Sequence, residues 1–116
     1  MSTDTIEGSG YPLAFKVRDG RVPGVVAGRA PARDVYRVEA RTMGGHQKEV
    51  LVTEGAAGTT WRLTSDEGAI LKGSDLAPFP LAFYNAGLHA DFVNRATAIA
   101  HARGVALAID GLDITN

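Results

Sequence analysis

A chain of 116 residues has room for one domain. With 45% hydrophobic and 22% charged residues it is globular rather than disordered, and a net charge of -1 offers no basic footprint for a nucleic acid or another polyanion. The absence of cysteine excludes disulfides, zinc–thiolate sites and thiol catalysis together.

The N-terminus, MSTDTIEGSG, is polar and acidic, unlike a signal peptide, and residues 1–10 are expected to form a flexible tail ahead of a single domain over residues 11–116. No apolar run approaches the roughly 20 residues of a membrane span. A soluble protein compatible with the cytoplasm is expected, with no membrane or nucleic-acid partner.

YPLAFKV (11–17) and VPGVVAG (22–28) are two short apolar runs joined at Asp19-Gly20, a pair that tolerates the positive φ of a tight hairpin turn. Pro12 and Pro23 demote both to edge strands or irregular arms, because proline donates nothing to a ladder. GRAPAR (28–33) reads as a linker. VYRVEARTM (35–43) then alternates, with Tyr36, Val38, Ala40 and Thr42 on one side and Arg37, Glu39 and Arg41 on the other. GGH turns the chain, KEVLVTE (48–54) returns with Val50 and Val52 in phase, GAAG turns again, and TTWRLTSDE (59–67) supplies Trp61 and Leu63. The pattern predicts an antiparallel meander with one dry and one wet face.

The dry face needs a lid, and the next segment offers one. Ser74 and Asp75 are candidate caps, Pro78 and Pro80 suit a first turn, and the following residues predict a long helix from about 79 to 103. Arg103-Gly104 stops it, with a cation at the negative end of the dipole and glycine for a left-handed cap. Leu81, Tyr84, Leu88, Phe92 and Ile99 form one apolar stripe, and Phe83, Ala86, Ala90, Val93 and Ala100 form another. Two stripes predict a helix buried on most sides. Gly87 in its middle suggests a close-packed neighbour. VALAIDGLDIT (105–115) reads as a strand. So wide a helix needs more cover than a short meander offers, which predicts a partner chain that completes the core.

Several small motifs carry less. His46 to Glu49 has H-x-x-E form, but in a turn with no further ligand nearby it reads as a solvated loop rather than a metal site. Arg29, Arg33, Arg37 and Arg41 recur every fourth residue; a helix there would have to contain Pro31, so a wet strand face is the better reading. Walker, dinucleotide and G-x-S-x-G motifs are absent. Asp66 and Glu67 are adjacent, face opposite ways on a strand, and fit a turn better than an acid/base pair. His101 suits the helix end. Asn85 and His89 differ from these. At i and i+4 they share one face of a greasy helix, where each must find a hydrogen-bond partner. From the residues alone, a core histidine held by Asn85 and a histidine that does chemistry both remain open. Asp91 lies about 200° round the helix from His89 and does not orient it.

The stretch SDEGAILKGSDLAPFPLAFYNAGLHADFVNRATAIAHARGVALAIDGLDIT (65–115) resembles the central part of an OsmC/Ohr-family protein. APFPLAFYNAGLHADFVNR falls in register with the family's NPEELLLAALGSCxxxxLR helix start, and a family branch with CDEGP and APPPLAFF.AGL segments is closer still. The likeness spans roughly residues 35 to 116. It implies an α+β fold in which an antiparallel meander packs on one long buried helix, within an intertwined assembly whose active sites lie where protomers meet. The family's peroxide-reacting cysteine falls on His89, the glutamate of its PEE turn on Phe79 or Pro80, and its resolving cysteine belongs to a second half that this chain lacks. Imidazole cannot replace a thiolate in peroxide reduction and disulfide relay, which excludes a thiol peroxidase in this chain alone.

The resemblance therefore implies an OsmC-like half-fold completed by a second small chain, as a heterodimer or heterotetramer. His89 would act as general acid or base on a small, largely apolar substrate. No organic cofactor is expected, and a metal at His89 finds no convincing second ligand in the chain. Asn85 would orient His89 or the substrate, Tyr84 would donate a hydrogen bond, and Asp66 or Glu67 would approach from the strand before the helix. Hydration, isomerisation and hydrolysis all fit. The competing expectation is a non-catalytic OsmC-like subunit that completes a core or binds a ligand.

Overall fold

A computed structural model describes residues 4–17, 21–22, 25–26, 36–55, 58–107 and 113. The chain is α+β and divides into two compact units, Met1–Phe79 and Pro80–Asn116. The first unit holds a short helix α1 (Ile6–Ser9) and strands β1 (Ala14–Lys16), β2 (Arg21–Val22), β3 (Val25–Val26), β4 (Tyr36–Thr42), β5 (Lys48–Glu54) and β6 (Thr59–Ser65). The second holds a 23-residue helix, α2 (Pro80–Ala102).

The expected meander is present. β4, β5 and β6 pair antiparallel in unbroken register, with Val38 opposite Val52 and Val52 opposite Trp61. The expected hairpin between residues 11–17 and 22–28 is not seen among the described residues. β1 pairs antiparallel with β6, Ala14 opposite Leu63, and completes a sheet of order β1-β6-β5-β4. Among the described residues β2 and β3 pair with each other. Asp19-Gly20 and the 28–33 linker lie outside the described residues. Pro12 sits just before β1, which is three residues long and forms one edge of the sheet.

Residues 4–10, expected as a tail, are structured. Thr5 caps α1 by accepting from the Gly8 N–H at 2.9 Å. Ile6 is buried, and its N–H donates to Gln47 Oε1 at 2.6 Å. The Gly44 N–H donates to the Asp4 carbonyl, and Arg41 pairs with Asp4 at 2.9 Å. A polar segment thus docks on the β4–β5 turn, because that turn leaves backbone and amide groups that need partners.

The two sheet faces are the reverse of what alternation suggested. The face of Tyr36, Val38, Val50, Val52, Trp61 and Leu63 is not buried: Val38 is 62% and Trp61 42% exposed. The buried face carries Glu49, Leu51, Arg62 and Thr64. Tyr11 and Phe15 bring their rings over the Arg62 guanidinium, with centroids at 5.4 and 5.7 Å. The Arg62 and Thr64 side chains donate to the Pro12 and Leu13 carbonyls. The segment before β1 therefore covers the charged face rather than the apolar one.

Helix α2 starts and stops close to the expected residues. Pro80 occupies its first position, where a missing N–H costs nothing. Ser74 and Asp75 lie well before it and do not cap it. At the other end Gly104 has φ 66, its N–H donates to the His101 carbonyl, and the Val105 N–H donates to the Ala100 carbonyl at 2.9 Å, which is a Schellman cap. The helix was expected to be buried on most sides, yet none of its residues is. Leu81, Tyr84, Leu88, Phe92 and Ile99 are all more than half exposed, and nothing lies within 4 Å of a Cβ placed on Gly87. Apolar residues on several faces call for cover on several sides. Residues 105–107, expected to open a strand, have no regular structure; most of the remainder lies outside the described residues.

Candidate functional site

The candidate residues form two sets. Asp66 and Glu67 belong to the loop after β6, and Tyr84, Asn85 and His89 belong to α2.

The loop is built around the Asp66 carboxylate, which is fully buried. Asp66 Oδ1 accepts the Glu67 N–H at 2.8 Å, and Oδ2 accepts the Ser74 and Leu76 N–H groups, each at 3.2 Å. The Asp66 N–H and the Ser65 hydroxyl both donate to the Pro78 carbonyl. The Asp75 N–H donates to the Glu67 carbonyl and the Gly73 N–H to that of Gly68. The chain from Ser65 to Pro78 is thereby tied across its own base, with a 3-10 turn (Ala69–Leu71) at its tip.

This closure strains the backbone. Lys72 and Asp75 adopt left-handed φ values of 62 and 54. A Cβ on Gly73 would fall 1.8 Å from the Glu67 carbonyl oxygen, so no other residue fits there without a backbone shift. Asp66 therefore serves as the hub that closes a loop, with both oxygens already occupied by backbone donors. Glu67 is half-buried and 3.8 Å from the Lys48 ammonium.

On α2 the half-buried face runs through Ala82, Asn85, His89, Val93, Ala96 and Ala100, at helical spacing. Asn85 and His89 are the two polar side chains on it; Tyr84, Asp91, Asn94, Arg95, Thr97 and His101 are all exposed. Asp91 is occupied by Arg95 one turn on, at 2.6 Å, which holds the Arg95 guanidinium above its ordinary pKa. Asn85 does not hold His89: among the described residues neither side chain makes a hydrogen bond. Both therefore keep free donors and acceptors. Tyr84 lies on the exposed stripe, about 140° round the helix from His89.

Reading the sequence missed a charged network on the sheet. Glu49 accepts from Arg62 Nε and from Arg41 Nε, both at 2.7 Å. The hydrogen bond from Arg41 to Glu49 raises the Arg41 pKa, against the opposing effect of burial. Glu49, placed in a solvated loop by its H-x-x-E spacing from His46, is instead committed to two arginines, while His46 is exposed. The available signal was the strand register, which sets Glu49 and Arg62 diagonally on one face. Among the described residues no three histidine or carboxylate side chains gather as a metal site, and no helix is long and apolar enough to cross a membrane.

No family model, curated protein or solved structure matches the chain.

Proposed function

We propose that this chain is a subunit of an OsmC-like heteromeric enzyme that performs non-redox acid/base chemistry on a small, largely apolar substrate. His89 is its general acid or base, standing where the family it resembles carries the peroxide-reacting cysteine. The observation that carries the reading is the Asn85–His89 pair. It is sheltered on one helix face while the helix's other polar side chains are exposed, and it is uncommitted to any hydrogen bond. A sheltered imidazole with both nitrogens available can accept a proton at one nitrogen and donate from the other. Asn85, one turn away, can orient a substrate carbonyl or hydroxyl on the same face. Tyr84, on the same helix, is an auxiliary donor; Asp66 closes the loop after β6. The exposed apolar stripe of α2 supplies a surface on which a second small chain can close over His89.

A second reading rests on those same exposed apolar faces: a non-catalytic subunit that only completes a core or binds a ligand. His89→Ala and His89→Gln, assayed in the assembled protein against hydration, isomerisation and hydrolysis substrates, separate the two. Turnover lost with assembly intact supports catalysis. Assembly lost, or turnover unchanged, supports the structural role.

A further inference from the structure

We infer that residues 4–17 form a clasp that opens from the sheet as one unit, ahead of the sheet itself, and that its opening bares Arg62. All its contacts lie within the first unit. At one end the Ile6 N–H donates to Gln47 Oε1, and the Asp4 carbonyl accepts the Gly44 N–H, so α1 is tied to the turn between β4 and β5. At the other end Ala14, Phe15 and Lys16 pair with Leu63, Arg62 and Trp61. There the Leu13 carbonyl accepts both the N–H and the hydroxyl of Thr64, and the Val17 N–H donates to the Thr60 carbonyl.

A charged path beneath the segment joins these two ends. Asp4 pairs with Arg41 at 2.9 Å, and Arg41 and Arg62 share the Glu49 carboxylate, each at 2.7 Å. Arg62 then returns to the segment at the Pro12 carbonyl, 3.4 Å away, and under the rings of Tyr11 and Phe15. A half-open segment would keep the Arg62–Glu49 pair partly buried while removing some of its hydrogen bonds, which is the costly arrangement for buried charge. Full closure and full release both avoid it, so the two ends leave together. The segment also has less to hold it than the sheet has. Ile6 is its one buried residue, and its ladder is three residues long. β5 pairs over seven residues with β4 and over seven with β6. Elements with few buried apolar contacts and short ladders open below the free energy of global unfolding. The clasp therefore controls whether the Arg62 side chain, 1% exposed when closed, meets solvent and solutes. The inference does not depend on the chemistry proposed for His89.

The test is hydrogen exchange of the full chain, followed by NMR in low concentrations of urea. The Ile6, Val17, Gly44 and Thr64 amides report the two ends, and the Arg62 Nε–H, which donates to Glu49, reports the ion pair. All five should share one opening constant, with a weaker urea dependence than the Val50, Leu51 and Val52 amides of β5. Thr5→Ala removes the cap that accepts the Gly8 N–H and leaves the sheet residues unchanged. It should speed exchange at all five sites about fivefold, including Val17 and Thr64 at the far end. Exchange of the five sites at the constant of the β5 amides would make the segment inseparable from the sheet and overturn the inference. A Thr5→Ala effect confined to Ile6 and Gly44 would also overturn it, since the ends would then open separately. So would an Arg62 Nε–H that stays protected while the four amides exchange, because opening would not reach the ion pair.

Discussion

Arg62 and Glu49 form an ion pair of 2.7 Å within the sheet, their side chains 1% and 3% exposed. The pair is tied outward through Arg41 to Asp4 and is covered by the rings of Tyr11 and Phe15. It fastens the N-terminal segment to the sheet.

Breaking it from one side leaves a buried charge without its partner. Glu49→Ala is expected to cost about 3–5 kcal/mol, a large part of the stability of a domain this size. Joint replacement of Glu49 by Leu and Arg62 by Met should cost far less, since it removes both desolvation penalties. Urea denaturation followed by circular dichroism measures both. Equal losses for the single and the joint replacement would mean that packing rather than charge holds the segment.

Asp66 uses both carboxylate oxygens as acceptors. Asparagine would turn an NH2 group toward a backbone donor, so Asp66→Asn should be nearly as damaging as Asp66→Ala, about 1–3 kcal/mol. Hydrogen exchange at the Ser74 and Leu76 amides should accelerate in both variants. Unchanged protection in Asp66→Asn would rule out the hub.

Gly87 and Gly104 should respond to alanine in opposite directions. Gly104 has φ 66 at the helix cap, so Gly104→Ala should destabilise by about 1 kcal/mol. Gly87 has a helical backbone and open space around it, so Gly87→Ala should stabilise the isolated chain by about 1 kcal/mol. Thermal melts of the isolated chain read both. If a partner packs against Gly87, the same substitution should weaken the assembly.

The chain has one tryptophan, and Trp61 stands on the exposed apolar face of the sheet. Its emission should be that of a partly hydrated indole in the isolated chain and should shift to the blue when that face is covered. Binding of a partner without a shift would place the contact elsewhere.

The meander and α2 were legible because period-2 alternation, helical spacing and the Arg103-Gly104 stop are local signals. Which sheet face is buried was not local. Alternation marks two faces, and it did not show that Tyr11, Phe15 and two backbone carbonyls make the face containing Arg62 and Glu49 a favourable place to bury. The N-terminal segment looked like a tail for the same reason: its anchors, Gln47 and Arg41, lie far along the chain. At the candidate site, the spacing of Asn85 and His89 predicted their shared face. Asp66 was legible only as a turn residue, since its role depends on amides eight and ten residues on.

The central claim is that this chain works as one half of a heteromer with His89 in the site. Native mass spectrometry of the chain, expressed with its genomic neighbours and purified intact, tests it most directly. The account predicts a second small chain at a fixed ratio, whose removal exposes the α2 stripe to solvent. A species built only of 12.2 kDa subunits, however large, would contradict it.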